Sequence, residues 1–80
     1  METADKIRLH RKNANLTQAE LAEKCGLSVT YISVYELGKR TAKLSTISKI
    51  AKGLGVNPLS LLPDWFIYDV VSYGERREGE

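Results

Sequence analysis

From Leu16 to Gly38 the chain is punctuated start, stop, start, stop, which leaves room for two short helices and a tight turn. Thr17-Gln18-Ala19-Glu20 forms a capping box, in which the Thr17 hydroxyl and the Glu20 carboxylate each meet a backbone N–H. The first of the two helices therefore begins at about Gln18. Gly26 ends it after Cys25 by accepting a left-handed backbone, and Ser28 is a good N-cap for the next helix, which reaches about Leu37 before Gly38 stops it. Only Leu27 and Ser28 lie between stop and start. A chain so divided cannot place a long strand or a long helix across its middle.

The flanks are helical too. Thr3 is placed to cap a first helix that carries Asp5 in its opening turn and Arg8, Arg11 and Lys12 later, the polarity the helix dipole favours. This helix fades near Asn13 to Asn15. Beyond the basic linker Lys39 to Lys43, Leu44, Ile47, Ile50, Ala51 and Leu54 recur at three and four residues and mark a fourth, amphipathic helix whose end Gly53 and Gly55 loosen. The small polar residue that would cap it is replaced by Lys43, so an irregular start or a later one capped by Ser45 is expected. Asn57-Pro58 opens a short fifth helix over Leu59 to Leu62, before Pro63.

Residues 65 to 73 differ in character. Seven of these nine are aromatic or β-branched, which is the composition of a strand, and both of its faces would be apolar. Such a segment needs cover from elsewhere, and a second copy of the chain is the obvious source. The end, Glu75 to Glu80, reads as a solvated tail.

Eighty residues at 42% hydrophobic and 28% charged suit one soluble domain. No run approaches the roughly 20 apolar residues of a membrane helix, and the opening residues are too polar for a signal-peptide core, so a cytoplasmic protein without membrane attachment is expected. One cysteine and one histidine exclude an intrachain disulfide and a structural zinc, so no metal or cofactor is implied and packing alone stabilises the fold. The net charge of +2 hides an asymmetry: residues 1 to 63 sum to +5 and residues 64 to 80 to −3. A basic body suits a polyanion partner.

Helices at 18 to 37 in this layout make a helix-turn-helix, whose second helix enters the DNA major groove while the first braces it. From Leu16 to Leu62 the chain resembles the Cro and phage-repressor family, also called Xre. The matching stretches are Leu-Thr-Gln-Ala-Glu-Leu-Ala-Glu-Lys-Cys-Gly-Leu-Ser (16 to 28), Tyr-Ile-Ser-Val-Tyr-Glu-Leu-Gly-Lys-Arg (31 to 40) and Ile-Ala-Lys-Gly-Leu-Gly-Val (50 to 56). The resemblance implies an all-α, compact five-helix, lambda-repressor-like domain over 1–63, followed by a C-terminal apolar extension, strand or short helix, at 64–80. It implies a nucleoid-associated regulator that binds double-stranded DNA.

Helical geometry selects the readers. If Ile32 and Tyr35 face the core, Thr30, Ser33, Val34 and Leu37 face away, flanked by Val29 and Tyr31. Ser28, Val29, Thr30, Ser33 and Val34 are the candidates for base contact, and their methyls and hydroxyls suit a half-site containing thymine. Thr17, Gln18 and the free N–H groups at the start of helix 2 would face a phosphate, Gln18 as the same residue does in the repressors resembled. Tyr31, Lys39, Arg40 and Lys43 would grip the backbone on the other side. Lys49 and Lys52 face solvent. The resemblance also pairs Arg11 of helix 1 with Glu36 at the end of the recognition helix. Asn15 stands where glycine is frequent and can mimic it in the left-handed region.

One monomer makes few base contacts, so a homodimer on a pseudo-palindrome is expected, acting as a repressor, with Trp65, Phe66, Ile67, Tyr68, Val70, Val71 and Tyr73 as the dimer contact. The alternative is that these aromatics fold back onto helices 1 and 5 of their own chain. Two other functions stay open: an antitoxin whose C-terminal extension holds a protein partner, and a helix-turn-helix reused purely for protein contacts. Cys25 occupies an apolar helix position as a small hydrophobe. No hydroxyl has a histidine base or organised acid beside it, so no enzyme is expected.

Overall fold

The computed structural model describes residues 1–66 and Tyr68. Its elements are α1 (Thr3–Asn13), α2 (Gln18–Cys25), α3 (Val29–Glu36), α4 (Leu44–Leu54) and a single 3-10 turn (Pro58–Leu61). Among the described residues there is no strand.

The punctuation at the middle of the chain works as the sequence implies. The Thr17 hydroxyl accepts the Glu20 N–H at 3.0 Å, and the Thr17 N–H donates to the Glu20 carboxylate at 2.9 Å. Gly26 adopts φ +70 and Ser28 accepts the Tyr31 N–H at 3.2 Å. Asn15 takes φ +58, the one non-glycine residue with positive φ among the described residues, so it does stand in for a glycine there.

Four expectations need correction. Thr3 is the first residue of α1 rather than its cap: Glu2 is extended and holds the N-cap position, its N–H donating to the Asp5 carboxylate at 3.4 Å. Gly53 does not loosen α4. A β-carbon there would stand 2.6 Å from Cys25 Sγ, so this glycine lets α4 lie tightly against α2. The left-handed stop is Gly55 alone, at φ +72. The fifth helix tightens into the 3-10 turn, with the Asn57 side chain accepting the Leu59 N–H at 2.9 Å. Finally, Asp64, Trp65, Phe66 and Tyr68 are helical, so the strand reading fails there. A proline followed by Asp is a good helix start, and a lone strand would have had no ladder partner. Ile67, Val70, Val71 and Tyr73 lie outside the described residues. Lys43 caps α4 by position only, without a side-chain bond, and the helix still begins at Leu44.

The core is made of Ile7 from α1, Leu21, Ala22 and Cys25 from α2, Ile32 from α3, Ile47, Ile50 and Ala51 from α4, Leu61 at the end of the 3-10 turn and Leu62 just after it. Ile7, Leu21, Ile32, Ile50 and Leu61 are fully buried, each contributing about 1.5–3 kcal/mol of apolar burial. The small residues Ala22, Ala51 and Gly53 sit where α2 meets α4. α3 is seated against both α2 and α1, which fixes its outward face.

Candidate nucleic-acid interface

α3 buries Ile32 and Glu36, rests half-buried Tyr35 against the core, and turns its other side outward. Val29 is 46% exposed, Thr30 is exposed, and Ser33 and Val34 are half-buried one turn later. Tyr31 is exposed on the flank, its ring centroid 6.4 Å from that of half-buried Tyr35. Leu37, Lys39, Arg40 and Lys43 follow, all exposed. The outward face of α3 is thus uncharged, and the three cations stand beyond its C-terminal end.

A buried carboxylate holds this helix at its C-terminal end. Glu36, 3% exposed, accepts Arg11 Nε at 2.6 Å on Oε2, and Arg11 Nη2 at 2.9 Å and Gln18 Nε2 at 3.2 Å on Oε1. Arg11 Nη1 donates to the Leu16 carbonyl at 2.9 Å, and Arg8 Nη1 to the Glu36 carbonyl at 3.1 Å. One acid therefore joins α1, α2 and α3. The bidentate hydrogen bonding to Glu36 raises the pKa of Arg11 above its ordinary value.

The sequence-predicted phosphate ligands divide into two groups. The Thr17 hydroxyl is used as a cap and the Gln18 amide is turned onto Glu36, which leaves the first backbone N–H groups of α2, those of Gln18 and Ala19, for an outside acceptor. Tyr31, Lys39, Arg40 and Lys43 are exposed at the surface. Cys25 is buried beside the Ile50 carbonyl, and desolvation pushes its thiol pKa up, away from reactivity.

Sequence reasoning missed two attachments. Arg8 reaches α3, and it also pairs with Asp5 at 2.8 Å; its place three residues before Arg11, on the same helix face, was the available signal. Lys6 donates to the Leu62 carbonyl at 2.7 Å and pairs with Asp64 at 2.8 Å, while the Met1 ammonium also contacts Asp64. Nothing local foretells a contact across that sequence separation. At the same end of the molecule Trp65 and Phe66 stack edge to face, with centroids 5.9 Å apart, and border a groove that includes Ala4, Leu44, Ile47 and Pro63. Trp65 is 57% and Tyr68 72% exposed.

Two short helices at a tight glycine turn, the second held from behind and open in front, define a helix-turn-helix domain. The family model described as "Helix-turn-helix" matches residues 7–61, and the chain belongs to this family, in its Xre-type branch. Control protein C.BamHI of Bacillus amyloliquefaciens is 48% identical over 56 residues, which are 70% of this chain and 67% of that protein. A hypothetical transcription factor of Neisseria meningitidis is 45% identical over 70% of this chain and 53% of its own length. Among solved structures, the restriction-modification controller protein C.AhdI of Aeromonas hydrophila superposes with a TM-score of 0.73 at 32% identity, over 75% of this chain and 87% of that one. The P22 c2 repressor, solved in complex with a synthetic operator, superposes at 0.72 with 27% identity, over 78% and 94%.

Proposed function

We propose that this protein is a sequence-specific double-stranded DNA-binding transcriptional regulator, acting as a repressor by occupying an operator as a homodimer. The observation that carries this is the pairing of an uncharged, exposed α3 face with a cationic rim at Lys39, Arg40 and Lys43, the two parts that base readout and phosphate contact need. Relatives named as repressors and controllers support it. Val29, Thr30, Ser33 and Val34, with Ser28 at the cap, meet base edges. Tyr31, the linker cations and the α2 N-terminus with Thr17 and Gln18 meet phosphates. Domain 1–63 binds DNA and the segment from Trp65 pairs two copies.

In vitro selection of random duplex DNA at near-physiological salt tests the reading. A symmetric motif with half-sites about 10–11 bp apart, or an integral number of turns more, is the expected result. An unenriched pool, with only salt-sensitive attraction to any DNA, would remove specific binding from consideration. Deleting residues 64–80 and measuring mass in solution tests the pairing. A truncated chain that still associates fully would free the exposed Trp65 and Tyr68 for a different protein, the role an antitoxin would give them.

A further inference from the structure

The exposed surface of α3 has an unusual restriction. Strong major-groove discrimination comes from side chains that make two hydrogen bonds to one base, Arg or Lys on guanine and Asn or Gln on adenine. From Leu27 to Tyr35 the chain contains none of these. Its only charged neighbour on the helix, Glu36, is buried and fully engaged by Arg11 and Gln18. Hydroxyls do not fill the gap. Ser28 already accepts the Tyr31 N–H, and Thr30 and Ser33 each carry a single rotating group that donates to or accepts from any base.

What α3 does present is methyl groups. Val29 and Thr30 are exposed in the first turn, and Val34 is half-buried beside them, four residues from Thr30 and therefore on the same helix face. The 5-methyl of thymine is the one apolar group on the major-groove edge of a base pair. For an apolar face without bidentate donors, that methyl is the group in the groove on which its own chemistry can act.

We propose that Val29, Thr30 and Val34 read pyrimidine 5-methyl groups, so that binding depends on those methyls and accepts 5-methylcytosine in place of thymine where α3 makes contact. This rests on the DNA-binding reading above and names the chemical group by which the operator is recognised.

The test begins with an operator obtained by selection. Replacing single thymines by uracil removes only the methyl and keeps every hydrogen-bonding group. At one to three positions per half-site, uracil should weaken binding by about three- to tenfold, with no loss at positions outside the half-sites. Replacing a thymine–adenine pair by cytosine–guanine at such a position should weaken it further, and 5-methylcytosine should recover part of that loss. Thr30→Ser, which keeps the hydroxyl and removes the methyl, and Val29→Ala should bind thymine and uracil operators more nearly alike. Their melting temperatures identify any general loss of fold. Uracil operators that all bind as well as the thymine operator would overturn the proposal while leaving specific DNA binding intact. A pool from which no operator emerges would overturn the DNA-binding reading beneath it.

Discussion

α1 is tied to the rest of the molecule at two places by the same kind of chemistry. Toward its C-terminal end Arg11 meets Glu36, with side chains 13% and 3% exposed; toward its N-terminal end Lys6 meets Asp64, at 13% and 66%. Glu36 has three donors on its carboxylate and is almost sealed from solvent, whereas Asp64 keeps an open side to it. Similar bond lengths, 2.6 Å for Arg11 Nε to Glu36 and 2.8 Å for Lys6 to Asp64, therefore conceal unequal consequences. A buried acid that loses its partner cannot rehydrate, and an exposed one can. The buried tie sets the pose of α3 and the exposed tie fastens the start of the C-terminal helical segment, so removing them should affect different activities.

The largest effect should come from breaking the buried tie one partner at a time. Arg11→Ala or Glu36→Ala should lower unfolding free energy by about 3–5 kcal/mol, read by urea or thermal denaturation, because the surviving charge stays buried. Replacing both at once by apolar residues, Arg11→Met with Glu36→Leu, should recover much of that stability. If the double variant is as unstable as the singles, the pair gives net stability beyond mere compensation and the contrast with Asp64 must be redrawn.

An intermediate effect is expected where α2 and α4 meet without charges. Gly53→Ala would press a methyl to 2.6 Å from Cys25 Sγ, with the Cys25 backbone nitrogen at 3.4 Å, and should cost about 1–3 kcal/mol through overpacking. In a Cys25→Ala background the same substitution should cost less, and that coupling is measured by a double-mutant cycle.

Breaking the exposed tie should do least. Asp64→Asn should shift the melting temperature less than either change above, and the difference should shrink in high salt. Its signature is acid dependence. Hydrogen bonds from Lys6 and from the N-terminal ammonium hold the Asp64 carboxyl at about 2, against an ordinary 3.8. A depressed carboxyl contributes its stability above the unfolded value, so this contribution is complete above pH 3.8, declines as pH falls toward 2, and is absent below. Glu20, lowered chiefly by the Thr17 backbone N–H, acts with the same sign. Melting curves of wild type and Asp64→Asn should therefore converge as pH drops below about 3. Curves that stay parallel would show that the contact adds nothing in solution.

The helix boundaries of α2 and α3 were legible because each rests on a local rule: a hydroxyl within reach of an N–H three residues on, or a glycine free to turn left-handed. The outward face of α3 was legible for the same reason, since 100° per residue places Thr30 and Val34 together once Ile32 is assigned inward. Gln18 was less so. Its residue type suggested a phosphate ligand, and the tie from its amide to Glu36 at 3.2 Å, a partner supplied by another helix, was not foreseen. Gly53 was misread because an isolated glycine near a helix end looks like a breaker, and only the position of Cys25 shows that it is a point of close approach. Trp65, Phe66 and Tyr68 belong to a segment of β-like composition, and at these described residues propensity yielded to a helix whose first residue, Asp64, is tied to Lys6.

The amino-acid sequence by itself determined where helices start and stop, which faces are apolar, and that a short helix with hydroxyls and methyls but no charge on its outward face follows a glycine turn. These are matters of the nearest four residues, and the backbone resolves them locally. Tertiary structure alone decided that Arg8, Arg11 and Gln18 converge on Glu36, that Lys6 reaches Asp64, and that α4 presses on α2 at Gly53. Those contacts join residues up to 58 positions apart, and their distances are set by how the whole core packs, which no local rule contains.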